Sequence, residues 1–253
     1  MTNKKETIHP TALISERVVL GANVTIGAFS IVHEGVTIGN GSQIGSHCEI
    51  GVSSDLAIEN SLVIGQDSYI RSHSVLYSGS SFGDGFITGH RVTIRENTKA
   101  GINFQVGTLG DIQGDCTIGD YVRFHSNVHV GKHSKIGNFV WIFPYVVLTN
   151  DPHPPSDVCL GVTIGDFSVI ATMSIILPGI NISEGALVGA HSLVNRDVSS
   201  DTIVAGVPAK VIGPTNRIKL SNLPGEDAYP WRKHFHRGYP EEIIKEWNIE
   251  FYG

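Results

Sequence analysis

The chain has 253 residues, of which 18 are lysine or arginine and 24 are aspartate or glutamate, so its formal net charge at pH 7 is −6. This acidic balance argues against a nucleic-acid-binding protein that uses a basic face. Hydrophobic residues make up 41% of the chain, which is enough apolar material for a folded core. No apolar run approaches the roughly 20 residues of a membrane span, and the first residues lead into no signal-peptide core. We therefore expect a cytoplasmic protein without a membrane span.

Aliphatic residues recur at every sixth position. A first block of hexads runs from Ile8 to Ile50, a second from Ile58 to Leu148, and a third from Ile164 to Val194. Of these 30 hexads, 26 begin with Ile, Leu or Val, whereas neither a helix nor a plain strand alternation has a period of six. The period predicts a stack of short parallel strands, in which each hexad supplies one strand and one turn. The first and fifth residues of each hexad would point inward.

Glycine occupies the second position in 15 of the 30 hexads, for example at Gly39 and Gly65. Glycine adopts a positive φ without steric cost. We therefore expect a positive φ at these positions, where each short strand turns a corner.

Two segments break the period. Residues 149–163 are rich in proline and aspartate and are too long for a corner, so we expect them to form a loop outside the prism, a common location for functional residues. The period ends at Pro214, and residues 240–247 have the pattern of a short helix whose apolar residues share one face. This predicts a repeat domain over residues 1–213 and a C-terminal extension over residues 214–253.

The hexads resemble those of the hexapeptide-repeat acyltransferases of the left-handed parallel β-helix superfamily, and residues 161–213 resemble the C-terminal signature of these enzymes. The resemblance implies an all-β fold, a left-handed parallel β-helix with three hexads per coil and about ten coils. It also implies a homotrimer with active sites between subunits. The reaction it implies is transfer of an acyl group from acetyl-CoA or another acyl-CoA to an amine or hydroxyl group, without a metal.

The predicted loop contains the first candidate catalytic residues. Residues 149–154, Thr-Asn-Asp-Pro-His-Pro, resemble the loop of sugar and xenobiotic acetyltransferases in which a His-Pro pair supplies the catalytic base. The resemblance thus implies that His153 is the base. Asn150 matches the asparagine that related nucleotide-amino-sugar N-acetyltransferases present to their substrate. The alternative for His153 is a solvated loop histidine without a catalytic role.

A second catalytic candidate follows from the coil length of about 18 residues, because position n then lies beneath position n + 18. Asp111 would lie beneath His129, with their Cα atoms about 4.8 Å apart. A carboxylate beside an imidazole raises its basicity and fixes its tautomer. The alternative is an outward ion pair or a hydrogen bond at the trimer interface.

Polar residues of the middle coils are candidates for substrate binding. Tyr77, Arg95 and Gln113 share the second hexad position and should form an outward column, which suits a sugar nucleotide with Arg95 on phosphate and Tyr77 stacked on the base. Asn127 is added because galactoside-type members carry an asparagine ahead of the His-Pro loop. The full set of candidate substrate-binding residues is Tyr77, Asp84, His90, Arg95, Glu96, His125 and Asn127. The alternative for the members of this column is a solvated face of the prism.

For coenzyme A, the resemblance points to the last coils of the prism. Backbone amides near Ala171 and Gly189 would contact the coenzyme, and Arg196 and Lys210 would bind its phosphates.

The reading that these features favour is an acyl-CoA-dependent N-acyltransferase, which acetylates the amine of a dTDP- or UDP-linked deoxy amino sugar for bacterial surface glycans such as O-antigen and lipopolysaccharide. Three alternatives remain at this point. One is a sugar O-acetyltransferase. Another is a zinc carbonic anhydrase on the same prism, although His125, His129 and His133 are spaced by four, unlike the ligands of those enzymes. The third is a non-enzymatic hexapeptide subunit in an assembly.

Overall fold

The computed structural model describes residues 7–233 and 239–252. The chain forms an all-β parallel solenoid of about 11 turns with one short C-terminal helix, as expected for the left-handed β-helix. Every third strand joins the same sheet, so the prism has three faces, which we call sheets A, B and C in the order in which the chain visits them. The turns between them are the A–B, B–C and C–A corners.

The strands are mostly two residues long. Sheet A contains Thr7–Ile8, Thr25–Ile26, Gln43–Ile44, Tyr69–Ile70, Ile87–Thr88, Gln105–Val106, Arg123–Phe124, Trp141–Ile142, Val169–Ile170, Leu187–Val188, Thr202–Ala205 and Lys210–Pro214. Sheet B contains Leu13–Ile14, Ile31–Val32, Glu49–Val52, Val75–Tyr77, Thr93–Ile94, Asp111–Ile112, His129–Val130, Val147–Leu148, Ile175–Ile176 and Leu193–Val194. Sheet C contains Val19–Leu20, Val36–Ile38, Leu62–Ile64, Ser81–Phe82, Lys99–Ala100, Thr117–Ile118, Lys135–Ile136, Thr163–Ile164 and Asn181–Ile182.

The core is one column of side chains along the inside of the prism. First-position residues such as Ile94 and Ile112 are completely buried, and so are fifth-position residues such as Val122. Both inward positions predicted from the period are therefore confirmed. Cys48 and Cys116 belong to this column, and burial raises the pKa of the Cys116 thiol to about 11, so this cysteine packs as a small neutral core residue.

The predicted positive φ at the second-position glycines is wrong, except at Gly51. Gly39, for example, does not have a positive φ, but a Cβ atom there would lie 2.5 Å from the backbone nitrogen of Gln66 in the next coil. Glycine is needed at this position for the close approach of two coils. The positive φ occurs two residues later, as at Asn97 and Asn103, where most residues are not glycine. Asparagine tolerates this conformation better than most side chains.

The expected hexad at Ile58 does not exist. Ile64 pairs with Ile38 in sheet C, and residues 53–61 form a loop at the B–C corner, where Ile58 is 83% exposed. The amide of Ile58 donates to Oδ1 of Asn97 over 2.9 Å, and Nδ2 of Asn97 donates to the carbonyl of Leu56 over 2.9 Å. Ile58 entered the six-residue count only because this loop residue lies six positions before Ile64.

The second loop also leaves the prism at the B–C corner. It connects Val147–Leu148 in sheet B to Thr163–Ile164 in sheet C, as the sequence predicts. The amide of Leu160 donates to the carbonyl of Asn150 over 2.7 Å, which closes the base of the loop.

The turns continue beyond the predicted last hexad at Val194. Val198 forms an isolated bridge with Ile182, and Thr202–Ala205 pairs in parallel with Leu187–Val188. Lys210–Pro214 then runs antiparallel to Thr202–Ala205 and covers the end of sheet A. Covering an edge in this way prevents its pairing with another chain.

The C-terminal extension packs against the C–A corner. It contains two 3-10 turns, Thr215–Arg217 and Trp231–Lys233, and the helix Glu241–Tyr252, which the sequence predicts. Tyr121, Phe139 and Phe167 stack on one another along this corner, with ring centroids 5.2 and 4.9 Å apart. Trp247 of the helix meets Tyr121 and Phe139 edge-on at 4.7 and 4.6 Å. These contacts bury the apolar face of the helix.

We expect Ile112→Ala to lower the free energy of unfolding by about 2–5 kcal/mol, because it leaves a cavity in the central column. Ile58→Ala is the matched control, since it deletes the same atoms from an exposed loop and should cost less than about 0.5 kcal/mol. Denaturant unfolding measures both. Equal losses in the two variants would contradict the observed register.

The spacing of the coils gives a second prediction. Gly39→Ala should destabilise the protein by about 1–3 kcal/mol, because the added methyl group must push two backbones apart. Gly225→Ala is its control, since a Cβ atom at Gly225 would have no atom within 4 Å. Thermal or denaturant unfolding of Gly39→Ala at wild-type stability would show that the coils do not need the glycine.

Candidate active site

An imidazole–carboxylate pair lies on the outer surface of sheet B. Asp111 and His129 are register partners in adjacent coils, and Nδ1 of His129 lies 2.9 Å from Oδ2 of Asp111. Each side chain is 38% exposed, so solvent and a ligand can reach the pair. The contact predicted from the coil length is therefore present.

The pair has a defined orientation. The hydrogen bond from His129 holds the pKa of the Asp111 carboxyl below its ordinary value, burial opposes this shift, and Gln113 lowers the pKa further through a 2.7 Å hydrogen bond from Nε2 to Oδ2. Because the carboxylate is ionised and only accepts, Nδ1 of His129 carries the proton in this contact. Nε2 of a neutral His129 then has a lone pair available to accept a proton.

A polar column continues from this pair toward the N-terminal end of sheet B. Arg95 lies one coil before Gln113, and its guanidinium lies 5.8 Å from the ring centroid of Tyr77. Nη2 of Arg95 lies 3.0 Å from Oε1 of Glu96, which is completely buried. The structure thus brings together Tyr77, Arg95 and Gln113, as the hexad count predicts, and places a carboxylate beside the arginine assigned to phosphate.

Asp84 and His90 do not join this column, although the sequence places them close to it. Asp84 lies at the C–A corner, where its Oδ1 accepts from the backbone N–H of Gln66 over 2.8 Å. His90 lies at the A–B corner, with Nδ1 2.8 Å from Oγ of Ser72 in the preceding coil. Proximity in sequence fails here because each successive hexad lies on a different face of the prism.

The extruded loop brings one of its two candidates to the sheet B surface. A Cβ atom built on Gly131 would lie 3.1 Å from Cβ of Asn150, so Asn150 covers the glycine two residues after His129. Nδ2 of Asn150 lies 3.1 Å from Sγ of Cys159 across the loop. Asn150 therefore lies over the residue two positions after His129.

His153 occupies an exposed part of the same loop. Its backbone N–H donates to Oδ1 of Asp151 over 3.0 Å, and the carboxylate of Asp151 also accepts from Oγ of Ser156 over 2.7 Å. These hydrogen bonds fix the backbone of the loop around His153. A role for its side chain as the catalytic base stays a prediction.

His125 and Asn127 lie at the A–B corner of the coil that leads to His129. His125 stacks on Phe143, with ring centroids 4.6 Å apart, and burial followed by the charge of Arg123 lowers its pKa. Asn127 adopts a positive φ at the tip of the corner. His125 lines a hollow of about 300 Å³ on sheet A, together with Arg71, Gln105, Arg123 and Trp141, which the sequence does not single out.

The candidates for coenzyme binding lie at two places near the C-terminal end. The N–H groups of Ala171 and Gly189 donate to Val188 and Val204 in the sheet A ladder, so these two N–H groups are not available to a ligand. Arg196 and Lys210 line a separate hollow of about 350 Å³ beside the strand Lys210–Pro214. The carboxylate of Asp197 also lines this hollow, so the two cations leave it one net positive charge for a phosphate group.

The three histidines considered for zinc do not converge. His125 lies at the A–B corner, His129 on sheet B and His133 at the B–C corner. Across residues 7–233 and 239–252, no group of three or more histidine, cysteine or acidic side chains is arranged to hold a metal ion. No helix in the described part of the chain has the length and apolar character of a membrane span.

Comparison with known proteins gives partial sequence matches. Residues 8–51 match the family of bacterial transferase hexapeptide repeats. The chain is 29% identical over 118 residues to galactoside O-acetyltransferase of Escherichia coli, which covers 38% of this chain and 58% of that protein. It is 28% identical over 142 residues to a putative lipopolysaccharide biosynthesis O-acetyl transferase of E. coli, which covers 49% of this chain and 72% of that protein.

Solved structures match almost the whole chain. The UDP-N-acetylglucosamine acyltransferase of Arabidopsis superposes with a TM-score of 0.69 at 18% identity, covering 96% of this chain and 88% of that one. The corresponding enzyme of Campylobacter jejuni gives a TM-score of 0.56 at 19% identity, with coverage of 98% and 85%. These likenesses establish the fold. The repeat match adds that residues 8–51 are hexapeptide repeats of the bacterial transferase type.

Proposed function

We propose that this protein is an acyl-CoA-dependent N-acyltransferase, which acetylates the amine of a dTDP- or UDP-linked deoxy amino sugar for a bacterial surface glycan. The observation that carries the proposal is the oriented Asp111–His129 pair on an accessible face. Acyl transfer needs a proton acceptor for the nucleophile. The named transferases among the partial relatives support the reaction class.

We assign the proton-transfer steps to this pair. Nε2 of His129 accepts a proton as the amine nitrogen bonds to the thioester carbonyl carbon, and Asp111 stabilises the resulting imidazolium. When the tetrahedral intermediate collapses, its C–S bond breaks and the proton passes from His129 to the departing thiolate. The products are the amide and free coenzyme A, and the enzyme returns to its starting protonation state.

The surrounding residues position the two substrates. Asn150 lies over Gly131, two residues after His129, and its side chain is assigned to the sugar. The hollow that contains Arg196 and Lys210 is suited to the phosphates of coenzyme A. A homotrimer, with each site completed by a neighbouring subunit, and a cytoplasmic location are further parts of this proposal.

O-acetylation of a sugar is the second candidate. It is favoured by the names of two partial relatives, both of them O-acetyltransferases. The same imidazole can accept a proton from a hydroxyl group, so the Asp111–His129 pair is compatible with either an amine or a hydroxyl acceptor. The presence of a free amine on the substrate is what distinguishes them.

A panel of acceptors tests the proposed function. The purified protein would be incubated with acetyl-CoA and with dTDP- or UDP-linked sugars that carry either an amine or only hydroxyl groups, and with the corresponding free sugars. Thiol release gives the rate, and mass spectrometry locates the acetyl group. We expect turnover only with the nucleotide-linked amino sugars. Acetylated hydroxyl groups would establish O-acetylation, and no turnover with any acceptor would refute acyl transfer to sugars.

The imidazole–carboxylate pair generates a prediction about catalysis. Asp111→Asn and His129→Gln should each lower kcat by roughly 10²–10⁴, the usual contribution of general-base catalysis. Because the two residues act as a unit, the kcat of the double variant should be no lower than that of the less active single variant. The matched control is His33 and Glu49, a similar pair at the N-terminal end of sheet B with Nε2 and Oε1 3.1 Å apart. Glu49→Gln and His33→Gln should retain wild-type kcat. Near-normal activity in both Asp111→Asn and His129→Gln would remove the pair from the active site.

The loop histidine gives a separate prediction. If His129 is the base, His153→Asn should lower kcat by less than about 10-fold, below the range for loss of a general base. If His153→Asn instead lowered kcat by roughly 10²–10⁴ while His129→Gln kept the wild-type kcat, His153 would be the base. Asp157→Asn, an exposed change in the same loop, controls for a general disturbance of the loop.

A further inference from the structure

The sheet A hollow, as we call the 300 Å³ space beside His125, results from two missing side chains. The second hexad position of sheet A holds Arg71, Gly89, Gly107 and His125 in successive coils. A Cβ atom on Gly107 would lie 2.5 Å from the backbone nitrogen of Ser126, so the coil spacing requires glycine there. The result is a gap between Arg71 and His125 that is three strand spacings long, or about 14 Å.

Aromatic and polar contacts hold an arginine at each end of the gap. Nη1 of Arg71 donates to the carbonyl of Thr88 over 2.8 Å, and its guanidinium lies 4.8 Å from the ring centroid of Tyr69. The guanidinium of Arg123 lies over the rings of Trp141 and Tyr239, at 5.1 and 4.6 Å from their centroids. Such stacking orients a guanidinium without removing its charge.

The sign of the charge around the hollow identifies the ligand class. Two arginines and a histidine line it, and none of the described lining residues is acidic, in a chain whose net charge is −6. Arg95, the arginine that the sequence assigns to phosphate, instead lies 3.0 Å from the buried Glu96. Guanidinium groups bind phosphate oxygens through charge-assisted hydrogen bonds.

The C-terminal extension contributes one of the two rings that contact Arg123, the ring of Tyr239. Its hydroxyl donates to the carbonyl of Tyr121 over 3.2 Å and accepts from Nε1 of Trp141 over 3.2 Å. Burial raises the pKa of Tyr239, so the phenol keeps its proton and can make both contacts. The extension thereby fixes the two rings that flank Arg123.

We propose that the sheet A hollow binds the nucleoside diphosphate of the nucleotide-linked acceptor along its length, between Arg71 at one end and Arg123 at the other, and that Tyr239 is a positioning residue that holds Arg123 in place. This inference rests on the proposed function. His125 belongs to the coil that leads, across one corner at Asn127, to His129. A nucleotide sugar bound in the hollow would extend its sugar around the A–B corner toward the Asp111–His129 pair.

Nucleotide binding tests the hollow directly. Isothermal titration calorimetry would measure Kd for dTDP, UDP and, separately, coenzyme A. Arg71→Gln and Arg123→Gln should each raise Kd for the preferred nucleotide by about 10-fold or more and leave that of coenzyme A unchanged. Arg17→Gln is the control, because it removes one positive charge at the N-terminal end of the prism and should change neither constant. If Arg123→Gln does not fold, the result for Arg71→Gln decides.

The positioning role of Tyr239 has its own readout. Tyr239→Ala should raise Kd for the nucleotide by about two- to fivefold through loss of the cation–π contact. Tyr239→Phe keeps the ring over Arg123 and should restore most of the affinity. Equal affinities in Tyr239→Ala and wild type would refute this role.

Several results would overturn the proposed phosphate site. The site would be refuted if the wild-type protein bound neither nucleotide, or if Arg71→Gln left the nucleotide Kd unchanged. It would also be refuted if Arg95→Gln were the only substitution to raise the nucleotide Kd, or if Arg71→Gln and Arg123→Gln weakened the binding of coenzyme A instead of the nucleotide. Failure of the proposed function is distinct from these. Nucleotide binding that depends on Arg71 without acyl transfer to any acceptor would refute the function and retain the site. Acetylation of the nucleotide-linked amino sugar at a rate and KM that Arg71→Gln leaves unchanged would retain the function and refute the site.

Discussion

The separation of about 4.8 Å between neighbouring strands is the constraint on which the rest of this structure depends. It leaves no space for a Cβ atom at second-position glycines such as Gly39 and Gly107. It also brings the side chains of successive coils into contact at every corner. At the C–A corner, Asp84, Asp120 and Asn138 each accept a hydrogen bond from the backbone of the preceding coil, with distances of 2.8 Å. The same spacing thus fixes both the core and the polar turns.

The candidate site uses this stacking instead of a preformed deep cleft. Residues that are 18 positions apart become neighbours, so Asp111 meets His129 and Arg95 meets Tyr77 without any special turn. A column of this kind is rigid, because each member belongs to a strand that is hydrogen-bonded to both neighbours. The loops and the C-terminal extension then add Asn150 and Tyr239 from outside the repeat.

The period of six predicted the stack of short parallel strands, the inward positions and the extruded loop, and the three hexads per coil that the resemblance implies added the Asp111–His129 contact, because each of these follows from counting along a regular stack. Counting failed at Ile58, where an isoleucine falls in phase inside a loop. It could not identify the sheet A hollow, whose cause is the absence of side chains at Gly89 and Gly107. Nor could it identify Tyr239, which meets residues 98 and 118 positions earlier in the chain. Contacts between the repeat and the extension depend on three-dimensional packing that no local pattern encodes.

Both extruded loops leave the prism at the B–C corner and return to it in register. Ile64 pairs with Ile38 after the first loop, and Ile164 pairs with Ile136 after the second. The number of residues in a loop at this corner therefore does not affect the register of the core, because strand pairing involves only the residues that re-enter the sheets. A related protein can lengthen or shorten these loops without shifting a single buried side chain. The B–C corner is thus the place where this scaffold can accept insertions while its folding requirements stay the same.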